Sequence, residues 1–84
     1  MKNRPRVLTF MEVLKVLIES PMVPTRISQV CNIRYDRLPD FLDHMEKINL
    51  IKRETQEGHE VYHITDEGLS LYRDWERIWA KLNV

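Results

Sequence analysis

The chain has 84 residues, with 13 Lys and Arg balanced by 13 Asp and Glu, 43% hydrophobic and 31% charged residues, and one cysteine. These totals suit one small globular domain. They exclude a disordered segment, an internal disulfide framework and a helical membrane span, which needs about 20 apolar residues in a row. A core this small is worth only a few kcal/mol, so burial against a partner is an expectation from the outset. Zero net charge argues against a protein that coats DNA indiscriminately, but leaves room for a local basic face.

Residues 1–8 read as a basic arm carrying Lys2, Arg4 and Arg6. The apolar stretch that follows is interrupted by Glu12 and Lys15 and lacks a small-residue cleavage site, so it is not read as a signal peptide. With Cys31 unpaired, the cytoplasm is the expected compartment.

Thr9-Phe10-Met11-Glu12 has the form of a capping box. Phe10, Val13, Leu14, Leu17 and Ile18 then form one helical stripe, and Ser20-Pro21 stops it. After a short connector, Thr25 is expected to cap a second helix with Ile27, Val30 and Cys31 inward. Ile33 is expected to plug the core from the following turn. Pro39 is tolerated only in a first turn, which makes Asp36 the expected N-cap of the third helix and Pro39 its third position. Leu38, Phe41, Leu42, Met45 and Ile48 supply its apolar stripe, and Asn49 suits a left-handed exit.

Leu50 to Thr55 and Glu60 to Ile64 read as strands joined by a turn at Gln56-Glu57-Gly58. Val61 and His63 share one face of the second strand, Tyr62 and Ile64 the other. Thr65 is the expected N-cap of a last helix, with Asp66 and Glu67 in its first turn. Gly68 costs that helix about 1 kcal/mol relative to alanine, and close packing is the only visible reason for it. The expected architecture is mainly α with a small β-hairpin, in the order α-α-α-β-β-α. It forms a single domain with an arm (1–8), a core (9–65) and a long C-terminal helix (66–83).

At this point the chain resembles a known family. Three helices feeding a hairpin are the plan of the winged helix-turn-helix. The segment LPDFLDHMEKINLIKRE resembles that family's LxxxLxxLEKxGLI junction between recognition helix and wing, and YHITDEGLSLY resembles its YxITxxGxxLL wing ending. The combination looks most like small archaeal regulators, and more loosely like the PadR and MarR types. The resemblance covers roughly residues 9 to 83 and implies a DNA-binding transcriptional regulator that dimerises through its last helix. Asn49 stands where the family has glycine, and the wing sets Glu54, Glu57 and Glu60 against Lys52, Arg53 and His59 where basic wings are usual.

Arg34, Tyr35 and Arg37 cluster where a recognition helix enters the major groove. There arginine suits both guanine edges and phosphates. Asp36 and Asp40 beside them either hold the arginines or contact cytosine; the alternative is a solvated, self-paired face. Arg26, Ser28 and Gln29 on helix two are candidate phosphate contacts. Lys52 and Arg53 are wing candidates, though successive strand residues face opposite sides. Tyr72, Trp75, Trp79 and Leu82, spaced three, four and three, form a dimerisation seam widened by Leu69, Leu71 and Ile78. The alternative is that this helix folds back on helix one.

No catalytic set, cofactor loop or metal site is expected. His59 and His63 lie about 13 Å apart if both are on a strand, His44 pairs with Asp40 on the surface, and Cys31 is a small core residue. The expected function is a homodimeric, sequence-specific double-stranded DNA-binding regulator. The rival is a winged helix that binds protein instead, which the neutral charge and acidic wing favour. An RNA-binding reading lacks a stacking platform, because Tyr35 is the only aromatic on the proposed reading face.

Overall fold

A computed structural model describes residues 5–83. The elements are α1 (Arg6–Glu19), α2 (Pro24–Cys31), α3 (Leu38–Lys47), β1 (Ile51–Gln56), β2 (His59–Ile64) and α4 (Asp66–Leu82). The winged-helix order is the expected one, but several boundaries are not.

α1 starts a turn early. Pro5 is its N-cap, and the Pro5 carbonyl accepts from the Leu8 and Thr9 amides at 3.0 and 3.3 Å. Thr9 is therefore inside the helix and buried, and the expected capping box does not form. Proline suits the start because its fixed φ leads into a helix. Arg6 is thus helical rather than part of an arm, while Lys2 and Arg4 lie outside the described residues. Phe10, Val13, Leu14 and Leu17 face the core as expected. Ile18 is exposed and Met11 is buried in addition, because α1 packs on α4 as well as on α2 and β2.

α2 takes Pro24, not a capped Thr25, as its first residue, and Val23 precedes it without a side-chain cap. Ile27 and Cys31 are buried as expected, but Val30 is exposed. A helix of 8 residues buries only the i,i+4 pair on its inner face. Asn32 then takes φ 56°, which turns the chain so that Ile33 plugs the core.

α3 begins after Arg37, so Pro39 is at its second position and Asp36 is not the N-cap. The reason is the preceding turn, in which the Arg34 carbonyl accepts from both Arg37 and Leu38 amides, at 2.9 and 3.1 Å. At the other end Ile48 is exposed, contrary to expectation. Asn49 takes φ 67°, and the Leu50 and Asn49 amides donate to the carbonyls of Met45 (2.9 Å) and Glu46 (3.0 Å), the pattern of a Schellman cap. That reversal turns Leu50 into the core in place of Ile48.

β1 and β2 pair antiparallel from Ile51↔Ile64 to Gln56↔His59. The turn is two residues, Glu57 (φ 51°) and Gly58 (φ 80°), each with positive φ as a type I′ hairpin turn requires. Gln56 therefore belongs to the strand. The hairpin gains a third partner that the sequence pattern does not reveal: Met22, in the connector between α1 and α2, exchanges backbone hydrogen bonds of 3.1 and 2.8 Å with Tyr62. One bridging residue has no periodicity to detect. It helps bury Tyr62, which is only 4% exposed.

α4 opens as expected. The Thr65 hydroxyl accepts from the Gly68 amide at 3.0 Å and donates to the Asn49 carbonyl at 2.7 Å. The Thr65 amide donates to the Leu50 carbonyl at 3.1 Å. Gly68 packs against this same strap: a Cβ there would overlap the Leu50 carbonyl oxygen and come within 2.9 Å of Ile64 Cγ1. The glycine is there for close packing, and backbone rather than a flexible side chain sets the limit. Gly68→Ala is therefore expected to lower the unfolding free energy by about 1–3 kcal/mol despite alanine's better helix propensity. Urea denaturation measures this, and equal or greater stability would contradict the packing account.

Candidate nucleic-acid interface

The surface formed by α2, the α2–α3 turn and the wing is built around the buried Ile33. The Ser28 hydroxyl donates to the Ile33 carbonyl, and the Ile33 amide donates to the Ser28 carbonyl at 3.0 Å. Ser28, read as a phosphate contact, thus spends its hydroxyl closing the turn that carries Arg34, Tyr35 and Arg37. Arg26 and Gln29 stand exposed on α2.

The three turn residues are all exposed, but they face two ways. Tyr35, 58% exposed, borders a cleft with Val23, Pro24, His59 and Glu60, between the start of α2 and the wing. Arg34 and Arg37 open instead onto a cleft bounded by Arg6 and Phe41. Arg34 is paired with Asp36 at 2.9 Å, so that aspartate holds the arginine in the turn. The sequence places these side chains together; only the structure separates their directions.

The wing's charges are largely matched within the fold. Lys52 lies 3.5 Å from Glu54, which in turn lies 3.2 Å from His63. Arg53 faces the other way, 3.6 Å from both Glu46 on α3 and Glu60 on β2. These acids raise the pKa of Arg53, with Glu46 the largest influence. Burial raises that of the Tyr62 phenol above its ordinary 10.0, against the opposing pull of Arg53. Among the described residues no group of three or more His, Cys, Asp and Glu is placed to hold a metal ion. No helix among them is long and apolar enough to cross a membrane.

His44 does not behave as the surface partner of Asp40 that the sequence suggests. Its Nδ1 lies 3.3 Å from an Arg6 guanidinium nitrogen, and its ring meets Phe10 edge-on with centroids 5.1 Å apart. Arg6 lies over Phe41 at 4.7 Å and over Phe10 at 5.4 Å. The arm reading of Arg6 fails because α1 starts just after Pro5; a proline ahead of the helical stripe is the sequence signal for that start.

The seam on α4 divides. Tyr72 and Trp75 pack against the core, next to Leu8 and Met11 of α1. Trp79 stacks on Trp75 at 5.5 Å but remains 48% exposed. Leu71, Ile78 and Leu82 are exposed, while Leu69 is half-buried. The open stripe is thus Leu71, Ile78, Trp79 and Leu82, while Tyr72 and Trp75 fold back on α1.

The sequence model of a family described as winged helix-turn-helix matches residues 3–82. No curated protein matches the chain. Among solved structures, a transcriptional regulator from Clostridium thermocellum is 22% identical, with a TM-score of 0.79 over 96% of this chain and 91% of that one. A homodimeric winged helix-turn-helix DNA-binding domain from Mycobacterium bovis, described as possibly of the ArsR family, is 12% identical, with a TM-score of 0.77 over 87% and 68%. A DNA-binding protein from Sulfolobus solfataricus is 19% identical, with a TM-score of 0.70 over 95% and 85%. At these identities the likeness is one of fold.

The raised phenol at the base of the wing has a consequence for stability. The folded protein favours neutral Tyr62, so this contribution is complete below the ordinary tyrosine value of 10.0 and is lost as pH rises through the higher folded value. Unfolding free energy is expected to fall as pH climbs past about 10, and less steeply in Tyr62→Phe. Denaturant titrations across that range, with phenolate absorbance as the second readout, check it; an identical decline in the variant would contradict it.

Proposed function

The chain belongs to the winged helix-turn-helix family, and on that premise we propose that it is a sequence-specific double-stranded DNA-binding transcriptional regulator acting as a homodimer. The observation that carries the reading is the α2–α3 turn. It is anchored by Ile33 and Ser28, and it holds Arg34, Tyr35 and Arg37 exposed at the entrance to α3. In this reading α3 lies in the major groove, Arg37 and Arg34 contact bases or phosphates, and Tyr35 faces the side of the groove nearest the wing. Arg26 and Gln29 hold phosphates and Ser28 positions the turn. Lys52 is the better placed wing contact, since Arg53 is engaged by two carboxylates.

The dimer is proposed to form through α4. Leu71, Ile78, Trp79 and Leu82 leave an apolar stripe open beside Trp75, and Leu69 and Tyr72 support it from the inner side. The Mycobacterium bovis neighbour is itself described as homodimeric, which supports a dimeric state. A two-fold dimer implies a roughly palindromic site. The wing's acids favour a second reading, a module that binds a protein, and the two differ in their response to salt.

Fluorescence anisotropy with random-sequence duplex at about 50 and 200 mM salt separates them. The DNA reading expects affinity to weaken by orders of magnitude across that range. Absence of binding at low salt and tens of micromolar protein favours the protein-binding module. On a selected operator, Arg37→Ala is expected to cost about 1–3 kcal/mol, and an unchanged affinity removes Arg37 from the interface. Ile78→Glu, at a position 52% exposed and so dispensable to the monomer's core, is expected to convert a dimer into a folded monomer. Sedimentation velocity and circular dichroism test that together.

A further inference from the structure

Arg6 is exposed but held. Its guanidinium lies over the Phe41 and Phe10 rings, at 4.7 and 5.4 Å, and 3.3 Å from His44 Nδ1. An arginine stacked on aromatic faces has already lost much of its conformational freedom, while the edge of its fork not used by His44 remains open to a ligand. Arg6, Arg34 and Arg37 line one open cleft, with Thr9, Asn32 and Phe41 between them. No carboxylate lines it among the described residues. Arg34 is paired with Asp36, which does not line the cleft, whereas neither Arg6 nor Arg37 has an ion-pair partner among the described residues. The wing shows the contrast: there Lys52 and Arg53 each have an acid within ion-pair distance. Guanidinium groups converging on a cleft free of carboxylates match the geometry of a phosphate, which accepts forked hydrogen bonds on several oxygens.

We propose that this cleft seats a backbone phosphate of the bound DNA, and that Arg6, on α1, is a fixed phosphate contact outside the helix-turn-helix. The site rests on the DNA-binding reading, because the phosphate it takes is one flanking the groove that α3 occupies. Such a contact sets the register of the protein on the duplex and carries no sequence information. Stacking on Phe41, which belongs to α3, ties the phosphate seat to the recognition helix, so the two move together.

The test is the slope of log affinity against log salt concentration, for duplexes of several sequences, with the full chain. Arg6→Gln, which removes one contact from each protomer of the proposed dimer, is expected to lower the slope by about 1.8 and to weaken binding by the same factor on every sequence. Arg6→Lys, which keeps the charge, is expected to retain the wild-type slope. Lys15→Gln, at a position that lines a cleft with α4 and not the arginine cleft, serves as the control and is expected to leave it unchanged. Thermal melts of each variant show that the fold persists. If the wild type binds and Arg6→Gln keeps its slope, the phosphate seat is wrong. A loss in Arg6→Gln that depends on sequence makes Arg6 a base contact and also overturns it, as does an equal loss of slope in Arg6→Lys, which indicates a purely structural stack. If the wild type binds no duplex, the DNA-binding reading itself fails and the site falls with it.

Discussion

The rest of the structure depends on how α3 is joined to α4. The two helices are separated by the whole hairpin in sequence, yet the last turn of one and the first turn of the other share a backbone strap. Asn49 reverses the chain with a left-handed φ, which points the Leu50 carbonyl at the Thr65 amide and the Asn49 carbonyl at the Thr65 hydroxyl. The Asn49 side chain then reaches Glu67 at 2.9 Å. Gly68 lets the backbone of α4 come against Leu50. The Asn49 and Leu50 carbonyls just past α3 are thus satisfied by the N-cap residue of α4, which clamps the hairpin at its base. The strap thus joins the exit of α3 to the start of α4 through backbone and side-chain hydrogen bonds of ordinary length.

Electrostatics divide the surface in a manner that net charge conceals. A chain with equal numbers of acids and bases has no general attraction for a polyanion, so any affinity for DNA must come from where cations lie without nearby acids. The wing is laced with its own pairs: Lys52 with Glu54, His63 with Glu54, and Arg53 with Glu46 and Glu60. All are solvent-exposed to some degree and each adds little to stability. Their larger effect is to cancel the field of the hairpin. The cations around the entrance to α3 are less compensated, which moves the favourable side of the domain from wing to turn and α1. An acidic wing is thus compatible with a phosphate-binding surface elsewhere on the same small domain.

The aromatic helix is shared between two demands. Tyr72 and Trp75 complete a core that α1, α2 and α3 leave open on one side. Burial is enough to raise the pKa of the Tyr72 phenol, with Glu76 adding to it. Trp79 continues the stack beyond the end of that core, and Leu82 lies further out still, 76% exposed. A large apolar stripe on a domain of this size is characteristic of an interaction surface, and its position at the free end of α4 leaves the α3 side unobstructed.

Periodicity and local chemistry by themselves determined the element order, the core stripes of α1 and α3, the left-handed turn at Asn49, the N-cap at Thr65 and the tight packing at Gly68. Each rests on residues within one turn of helix or one strand repeat, and so is legible locally. The helix starts were less legible: Thr9, Thr25 and Asp36 all looked like caps, and in each case the helix is set instead by proline geometry or a preceding turn. The exposure of Ile18, Val30 and Ile48 depended on which neighbours reach them, which no single-helix pattern contains. Only the tertiary structure could decide the Met22–Tyr62 bridge, the seating of Arg6 on Phe10 and Phe41, the split between Tyr35 and the two arginines, and which half of the α4 seam stays open. Those features join residues far apart in the chain, and their energies depend on distance in space, which sequence spacing does not specify.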